Sequence, residues 1–479
     1  LHHPSLPRAG GRLTMSALAA RRTPTVSGLR VAHDTLINGL STEGPLVSSL
    51  RDNDIVRYSF AGRTMFVLGH PDYVDHVLHD GVERYRKSVE YELLRSVLGL
   101  SLFTDEGDSW RRHRMLLNPL FAKRHLRGLV DLMIDPIERF LEQLDDGSDR
   151  IALNMSRAMT ELTLDVVGCA LFGRGMADLA QRLGPTVTTG LRAAERATRG
   201  IMLVNPPAWL FRAWANFLHH APVLPPPLSR IQSIMRGVDE MVWKVIRERQ
   251  ANPGPDDDLL GLLLSVRDER GHKLSPRRVR DEATTFMLAG HETTANALSW
   301  MWYLLAREPA ARQRLLDEVD SVLAGRRPAA PDLPQLTWTG ACVQEAMRMF
   351  PPAWAIPRIA IENDVIDGHR IPRGASILIP IHAIHHDARW WPEPEVFDPS
   401  RFLPERGAGR HRSQYLPFGG GRRICIGSSF ALMEATLVTA IMSQRFTYEL
   451  VPGHPVEPEA TLTLRPRHGL RMIAARRPQ

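Results

Sequence analysis

The chain has 479 residues, 43% of them hydrophobic and 24% charged, which excludes a wholly disordered chain. Its three cysteines, Cys169, Cys342 and Cys425, are widely spaced and odd in number, so they make neither a disulfide framework nor a zinc-ligand set, and a reducing, cytoplasmic setting is expected. The net charge is +7 and 56 of the 60 basic residues are arginine; they are dispersed with no basic run, which argues against a nucleic-acid partner and leaves an acidic protein partner open.

Residues 1–25 are expected to be a flexible N-terminal segment, part of it foreign to the native protein, because Leu1 to Thr14 reads as neither signal peptide nor anchor and the first methionine is Met15. A hairpin follows, with Ile55 to Phe60 and Thr64 to Leu68 flanking Ala61-Gly62-Arg63. Pro71 to about Leu78 reads as a short helix. From Trp110 to about Leu323 the apolar spacing is mostly helical, as in Leu126 to Leu144, Met155 to Leu171, Ile231 to Arg249 and Asp281 to Ala306. Past Phe350 short β-branched runs such as Ala375 to Pro380 appear, and a last helix spans about Ser429 to Gln444. A length prior of about 150 residues per domain would allow three domains. No linker or repeat separates them, so residues 26–479 are expected to form one domain, mainly α with small β-sheets. No stretch reaches the roughly 18 uninterrupted apolar residues of a spanning helix. The most apolar candidate, Ile201 to Leu228, is broken by Pro206, Pro207, Arg212, His219 and His220.

The chemistry concentrates at Phe418-Gly419-Gly420-Gly421-Arg422-Arg423-Ile424-Cys425-Ile426-Gly427. Glycines let the backbone turn tightly and approach a bulky partner. A lone thiol before a helix N-terminus and beside arginines is easily deprotonated and suits one axial position on a metal whose other ligands belong to a cofactor. A phosphate-binding glycine loop is disfavoured, because no Gly-Lys-Ser/Thr ending and no leading strand are present.

This loop resembles the haem-binding signature of the cytochromes P450, Phe-x-x-Gly-x-Arg-x-Cys-x-Gly, with Phe418, Gly421, Arg423, Cys425 and Gly427 at its fixed positions. The resemblance is closest to mycobacterial and other actinobacterial members, and implies the cytochrome P450 fold, with haem b between the oxygen-activating helix and the helix after the cysteine loop. It makes Cys425 the proximal thiolate and directs Arg423 to a haem propionate. Ala289-Gly290-His291-Glu292-Thr293-Thr294 resembles the family's oxygen-activating segment. There Ala289 and Gly290 would border haem, Gly290 opening a groove for dioxygen, and Glu292 and Thr293 would relay protons. Glycine beside hydroxyls in mid-helix also predicts a local distortion, and His291 takes a helix-surface or polar-network place. Trp110 and Arg114, four apart on one helical face, and Arg358 are the further propionate candidates. Glu345, Arg348 and Arg401 match the family's structural triad, with Ser400 where an acid is usual, and His385 and His386 fall in a loop that reads as structural rather than metal-binding.

The resemblance implies a haem-thiolate monooxygenase that hydroxylates an apolar, lipid-like substrate with electrons from a separate ferredoxin and ferredoxin reductase. A sterol, terpene or polyketide is the alternative substrate. A peroxide-driven enzyme of the same fold or a non-catalytic haem-binding protein is the alternative function, disfavoured by the intact Glu292-Thr293 pair. Arg111, Arg112, Arg410, Arg412 and Arg422 are candidates for a basic face that meets the ferredoxin. The expected pocket draws on Ser88 to Phe103, the aromatic stretch Trp209, Phe211, Trp214 and Phe217, and Phe286, Met287 and Ala355. The protein is expected to be a monomer without a transmembrane anchor.

Overall fold

The computed structural model describes residues 21–38, 41–60, 62–173, 213, 228–252 and 258–478. Its principal helices are α1 (Glu90–Leu98), α2 (Gly107–Leu117), α3 (Val130–Leu144), α4 (Met155–Phe172), α5 (Leu228–Ala251), α6 (Pro276–Arg307), α7 (Thr337–Met349) and α8 (Ser428–Arg445). The strands that matter for the site are β1 (Thr25–Val26), β2 (Ile55–Phe60), β3 (Arg63–Leu68), β4 (Tyr85–Lys87), β5 (Arg150–Asn154), β6 (Ile356–Ala360), β7 (Ser376–Ile379), β8 (Phe446–Leu450) and β9 (Arg471–Arg476).

The strands join distant parts of the chain. One sheet runs β1-β2-β3-β7-β6-β4, so the N-terminal hairpin pairs with the C-terminal part, and a second runs β8-β9-β5. Thr25 pairs with Arg57, and the Arg21 amide donates to the Gly368 carbonyl at 3.0 Å. The docked chain therefore reaches back to Arg21, into the segment expected to be loose, because β2 has one side left over from the hairpin, which β1 pairs, making β1 the edge of the sheet. No helix among the described residues is long and apolar enough to cross a membrane.

The helical core is built around α6. Ser275 accepts the Arg278 amide and Pro276 opens the helix, a strong N-terminal signal that sets the start five residues earlier than the apolar pattern predicts. Apolar residues occupy nearly every face of α6, as expected of a helix packed on all sides. Its Trp300 is fully buried, stacks on Phe350 at 4.0 Å and donates to the Leu464 carbonyl at 3.2 Å, fixing the helix to the C-terminal strands. The predicted mid-helix distortion does not interrupt it. The hydroxyls of Thr293 and Thr294 donate to the carbonyls of Ala289 and Gly290, four residues back, and the helix stays continuous.

Two sequence expectations for helices also change. The expected Leu126–Leu144 helix is divided, with Lys123–Gly128 preceding α3. The helix beginning at Pro71 keeps α geometry to Asp75 and then widens into a π turn, His76–Asp80. Consecutive side chains are anchored on different partners there: Asp75 accepts from Arg412 and Ser413, and His76 contacts Asp364 at 2.8 Å. This π turn becomes a wall of the site.

Candidate active site

The cysteine loop is shaped by backbone contacts. The Cys425 amide donates to the Phe418 carbonyl at 3.0 Å, closing the loop on itself. Gly421 has φ +66°, and a Cβ there would lie 1.9 Å from the Leu78 carbonyl oxygen of the π turn. No side chain fits that position. Gly427 then leads into α8. Cys169 and Cys342 are buried, whereas Cys425 is exposed. Protein nevertheless crowds its thiol: burial pushes its pKa up, opposed by the Gly427 amide and the charge of Arg114. The thiol thus has accessible surface although protein closely surrounds it, an arrangement that a flat cofactor lying against the loop would fit.

Helix α2 grips this loop from its flank. Arg114 donates to the Ile424 carbonyl at 2.9 Å, and the guanidinium of Arg423 lies 3.9 Å from the centre of the buried Trp110 ring. Arg423 also donates to the Asp105 carbonyl at 2.7 Å. The i, i+4 face of Trp110 and Arg114 thus meets the loop, as their spacing implies.

Next to it cations gather. Lys87 of β4 pairs in register with Arg358 of β6, Arg358 lies close enough to act on the charge of both Lys87 and Arg423, and Arg423 acts on Lys87. Burial, then the charges of Arg423 and Arg358, hold Lys87 well below the ordinary lysine pKa. Burial likewise draws Arg423 down to about 10, Arg358 adding to the effect against Glu106. Crowding like charges is costly unless an anion joins them. The cluster therefore fits a cofactor that brings carboxylates, and the two propionates of haem have that chemistry. Lys87 carries no motif and was missed; its signal is the strand register that places it opposite Arg358.

On the other side, Ala289 is exposed in the middle of the otherwise packed α6, and Gly290, Glu292 and Thr293 are partly exposed. A helix buried on its remaining faces with one accessible stretch lines a cavity. Glu292 accepts from the Thr463 hydroxyl at 3.0 Å, which in turn accepts from Asn296 at 3.1 Å. Thr293 donates to the Ala289 carbonyl at 2.8 Å, and no hydrogen bond joins it to Glu292 among the described residues. A Cβ on Gly290 would stand 3.2 Å from Val167 of α4, so its missing side chain admits a neighbouring helix. His291 is buried, its Nδ1 3.0 Å from the Met287 carbonyl, which fits a polar-network place and excludes a surface one. Met287 is buried in the helical core, while Phe286 packs edge-on against Phe121. The aromatic stretch at Trp209, Phe211, Trp214 and Phe217 lies outside the described residues.

Behind the loop, Glu345 and Arg348 are fully buried and doubly hydrogen-bonded at 2.8 and 2.9 Å, with Arg401 Nε 3.4 Å from Glu345. The sequence-predicted triad is assembled. Ser400, in the place of the usual acid, bonds to Asp398, whose amide donates to Glu345 at 3.0 Å.

The proposed basic face is largely neutralised. Arg111 and Arg422 share Glu83, at 2.6 and 2.5 Å, and Arg412 pairs with Asp75 at 2.5 Å. Arg410 is half-buried: it lies over the rings of Trp391 and Phe402, each at 4.6 Å, and donates to the Arg401 carbonyl. Stacking on aromatic faces drew it inward, which composition could not reveal. Arg112 remains exposed.

Comparison with known proteins agrees with this geometry. The family model described as "Cytochrome P450" matches residues 49–472. Cytochrome P450 132 of Mycobacterium tuberculosis is 50% identical over 447 residues, covering 93% of this chain and 95% of the relative. Cyclooctatin synthase of Streptomyces melanosporofaciens is 32% identical, covering 93% and 94%. Cytochrome P450 4F12 of Homo sapiens is 33% identical, covering 83% and 77%. With nearly its whole length matched, the chain belongs to the cytochrome P450 family and is a haem-dependent oxidoreductase of the monooxygenase class.

Proposed function

We propose that this enzyme inserts one oxygen atom from dioxygen into an apolar, lipid-like substrate, with electrons from a separate ferredoxin and ferredoxin reductase in the cytoplasm. The observation that carries the reading is the pairing of an accessible thiol on a rigid loop with an accessible acid–alcohol stretch on α6. Haem, when bound, supplies dioxygen activation, and a thiolate ligand favours O–O cleavage.

The protein's part is placement and proton handling. Cys425 would hold the haem iron through its thiolate, on a loop framed by Phe418, Gly421 and Gly427. Arg423, Arg358, Lys87 and the Trp110–Arg114 face receive the propionates, which would relieve the crowding of cations that burial leaves unbalanced. Ala289 presents only a methyl group at the exposed stretch of α6, and Gly290 lets α4 pack close behind it. Thr463 holds one oxygen of Glu292, leaving the other to take up and release protons. Because Glu292 and Thr293 are not bonded to each other, a proton passes between them through a bridging water. Thr293→Ala should leave electron consumption largely intact and cut product per electron; unchanged coupling would remove Thr293 from the relay.

Lipid preference rests on the apolar pocket candidates Leu94, Leu98, Phe103 and Phe286, which stand beside the charged Glu90, Glu92 and Arg95 of α1. A panel of fatty acids and sterols, scored by the low-to-high-spin shift of the haem, tests it. Fatty acids should shift the spectrum at micromolar concentration; a response to sterols alone would assign the alternative substrate class.

A further inference from the structure

His385 takes no part in the chemistry above, yet it is fully buried and its ring has a partner at each nitrogen. The Leu416 backbone N–H donates to Nε2 at 2.9 Å. A backbone N–H can only donate, so Nε2 is the acceptor and the ring proton is on Nδ1, which donates to the Arg348 carbonyl at 3.1 Å. The ring is therefore neutral and confined to one tautomer. Arg348 returns a bond from Nη1 to the His385 carbonyl at 2.8 Å. The ring stacks on Tyr415 at 5.3 Å and meets the Trp391 ring edge-on at 6.2 Å, so it cannot turn without disturbing both. Burial, and then the charge of Arg348, hold its pKa well below that of an ordinary histidine.

The position of its second partner gives this link a function. Leu416 is itself buried, its carbonyl accepts the Gly419 amide at 2.9 Å, and the Phe418 carbonyl accepts the Cys425 amide at 3.0 Å. A continuous set of hydrogen bonds thus runs from the Glu345–Arg348 pair through the imidazole to the start of the cysteine loop. We propose that His385 is a positioning residue for the cysteine ligand: its neutral, tautomer-specific ring transfers the fixed geometry of the buried Glu345–Arg348 pair to Leu416 and so keeps Cys425 seated as a thiolate. The proposal rests on Cys425 being the axial ligand.

Its two hydrogen bonds can be separated. In the haem-loaded protein, His385→Gln keeps an acceptor near Nε2, His385→Asn keeps only a group near Nδ1, and His385→Phe keeps the ring and neither bond. The reduced, carbon monoxide-bound protein reports the ligand, since thiolate ligation gives a red-shifted Soret band and its loss a blue-shifted one. Conversion to the blue-shifted form in dilute urea should be faster in His385→Phe by on the order of ten- to a hundredfold, as expected for loss of buried hydrogen bonds. His385→Asn should follow the phenylalanine variant and His385→Gln should stay near the parent. Thermal unfolding midpoints of the Asn and Gln variants should be alike. Equal conversion rates in parent, Asn and Gln proteins would overturn the proposal, as would rates that merely follow the unfolding midpoints. The Asn–Gln comparison decides the question even if the phenylalanine variant does not fold. Cys425→Ser is the separate arm: if it keeps the red-shifted band, the ligand assignment fails; if it loses the band, only the His385 variants judge this inference.

Discussion

The cysteine side and the oxygen side of the site are held by opposite means. On the cysteine side, backbone meets backbone: Gly421 against the Leu78 carbonyl, Cys425 against Phe418, with buried charges behind. On the oxygen side, side chains of α6 hold the backbone of the loop between α1 and α2. Asp281 accepts the Leu100 amide at 2.8 Å, Glu282 accepts the Leu102 amide at 2.6 Å and lies 2.7 Å from His113 of α2, and Arg278 pairs with Asp105 at 2.5 Å. Steric fixation has no intermediate setting, whereas side-chain bonds can be released one at a time. The difference teaches that the Cys425 loop is placed rigidly while the loop between α1 and α2 is clamped in a reversible way.

Breaking the steric side should have the largest effect. Gly421→Ala combines a left-handed backbone with overlap against Leu78, so several kcal/mol and most haem loading should be lost. Gly62, also at positive φ but facing open space, is the control, and its alanine variant should cost about 1 kcal/mol. Haem-to-protein absorbance ratios and thermal unfolding measure both. Equal haem loading in the two variants would mean that the close contact with the π turn does not place the loop.

The clamp should yield more gently. Glu282→Ala leaves the buried Leu102 N–H unpaired, a cost of roughly 1–3 kcal/mol, and removes the carboxylate 2.7 Å from His113. Substrate-induced spin shifts should weaken while the red-shifted carbon monoxide band persists. Glu282→Gln, which keeps the acceptor, should lose less. A variant that lost the band and kept substrate binding would reverse the comparison.

How much of this was legible follows the same division. The cysteine loop announced itself because glycine, arginine and cysteine must recur at fixed short spacing to make one tight turn. The hairpin at β2 and β3 and the α8 helix were legible for the same local reason, their bounds differing by about one residue from the pattern. The clamp was not. Leu102 and Glu282 are 180 positions apart, and Thr463 and Glu292 are 171 apart. Such residues carry no pattern of their own and meet only through tertiary packing. Arg410 and Arg111 look alike in the sequence, which cannot tell an arginine stacked on rings from one paired at the surface.

Acid should loosen the wall of the rigid side. Burial would raise the Asp364 carboxyl, but hydrogen bonds from His76 and Tyr85 outweigh it and hold the folded pKa at about 2. That is below the unfolded value of about 3.9, so its stabilisation is fully present above the unfolded pKa and is lost as pH falls toward 2. Urea unfolding of the parent should weaken across that window, and Asp364→Asn should weaken less steeply. Parallel slopes would exclude Asp364 from the acid response.

The smallest effect belongs to the surface around the loop. Glu83 bridges Arg111 and Arg422, yet all three side chains are 44–62% exposed, so the pairs contribute about 0–1 kcal/mol and Glu83→Gln should leave unfolding unchanged. The substitution does, however, remove the carboxylate between Arg111 and Arg422, leaving Arg111 its pair with Asp108 at 3.0 Å, and so makes this surface more basic toward the ferredoxin that the proposed function requires. Association with an acidic ferredoxin should therefore accelerate several-fold at low ionic strength, with the gain vanishing in high salt, where charges beyond roughly 3 Å are screened. Stopped-flow reduction of the haem by ferredoxin, run across salt concentrations, measures this. An unchanged rate at low salt would place the electron donor elsewhere on the surface and leave Glu83 as an ordinary exposed ion-pair partner, because a charge that costs nothing to remove and repels no partner has no other means of acting at this distance from the thiol.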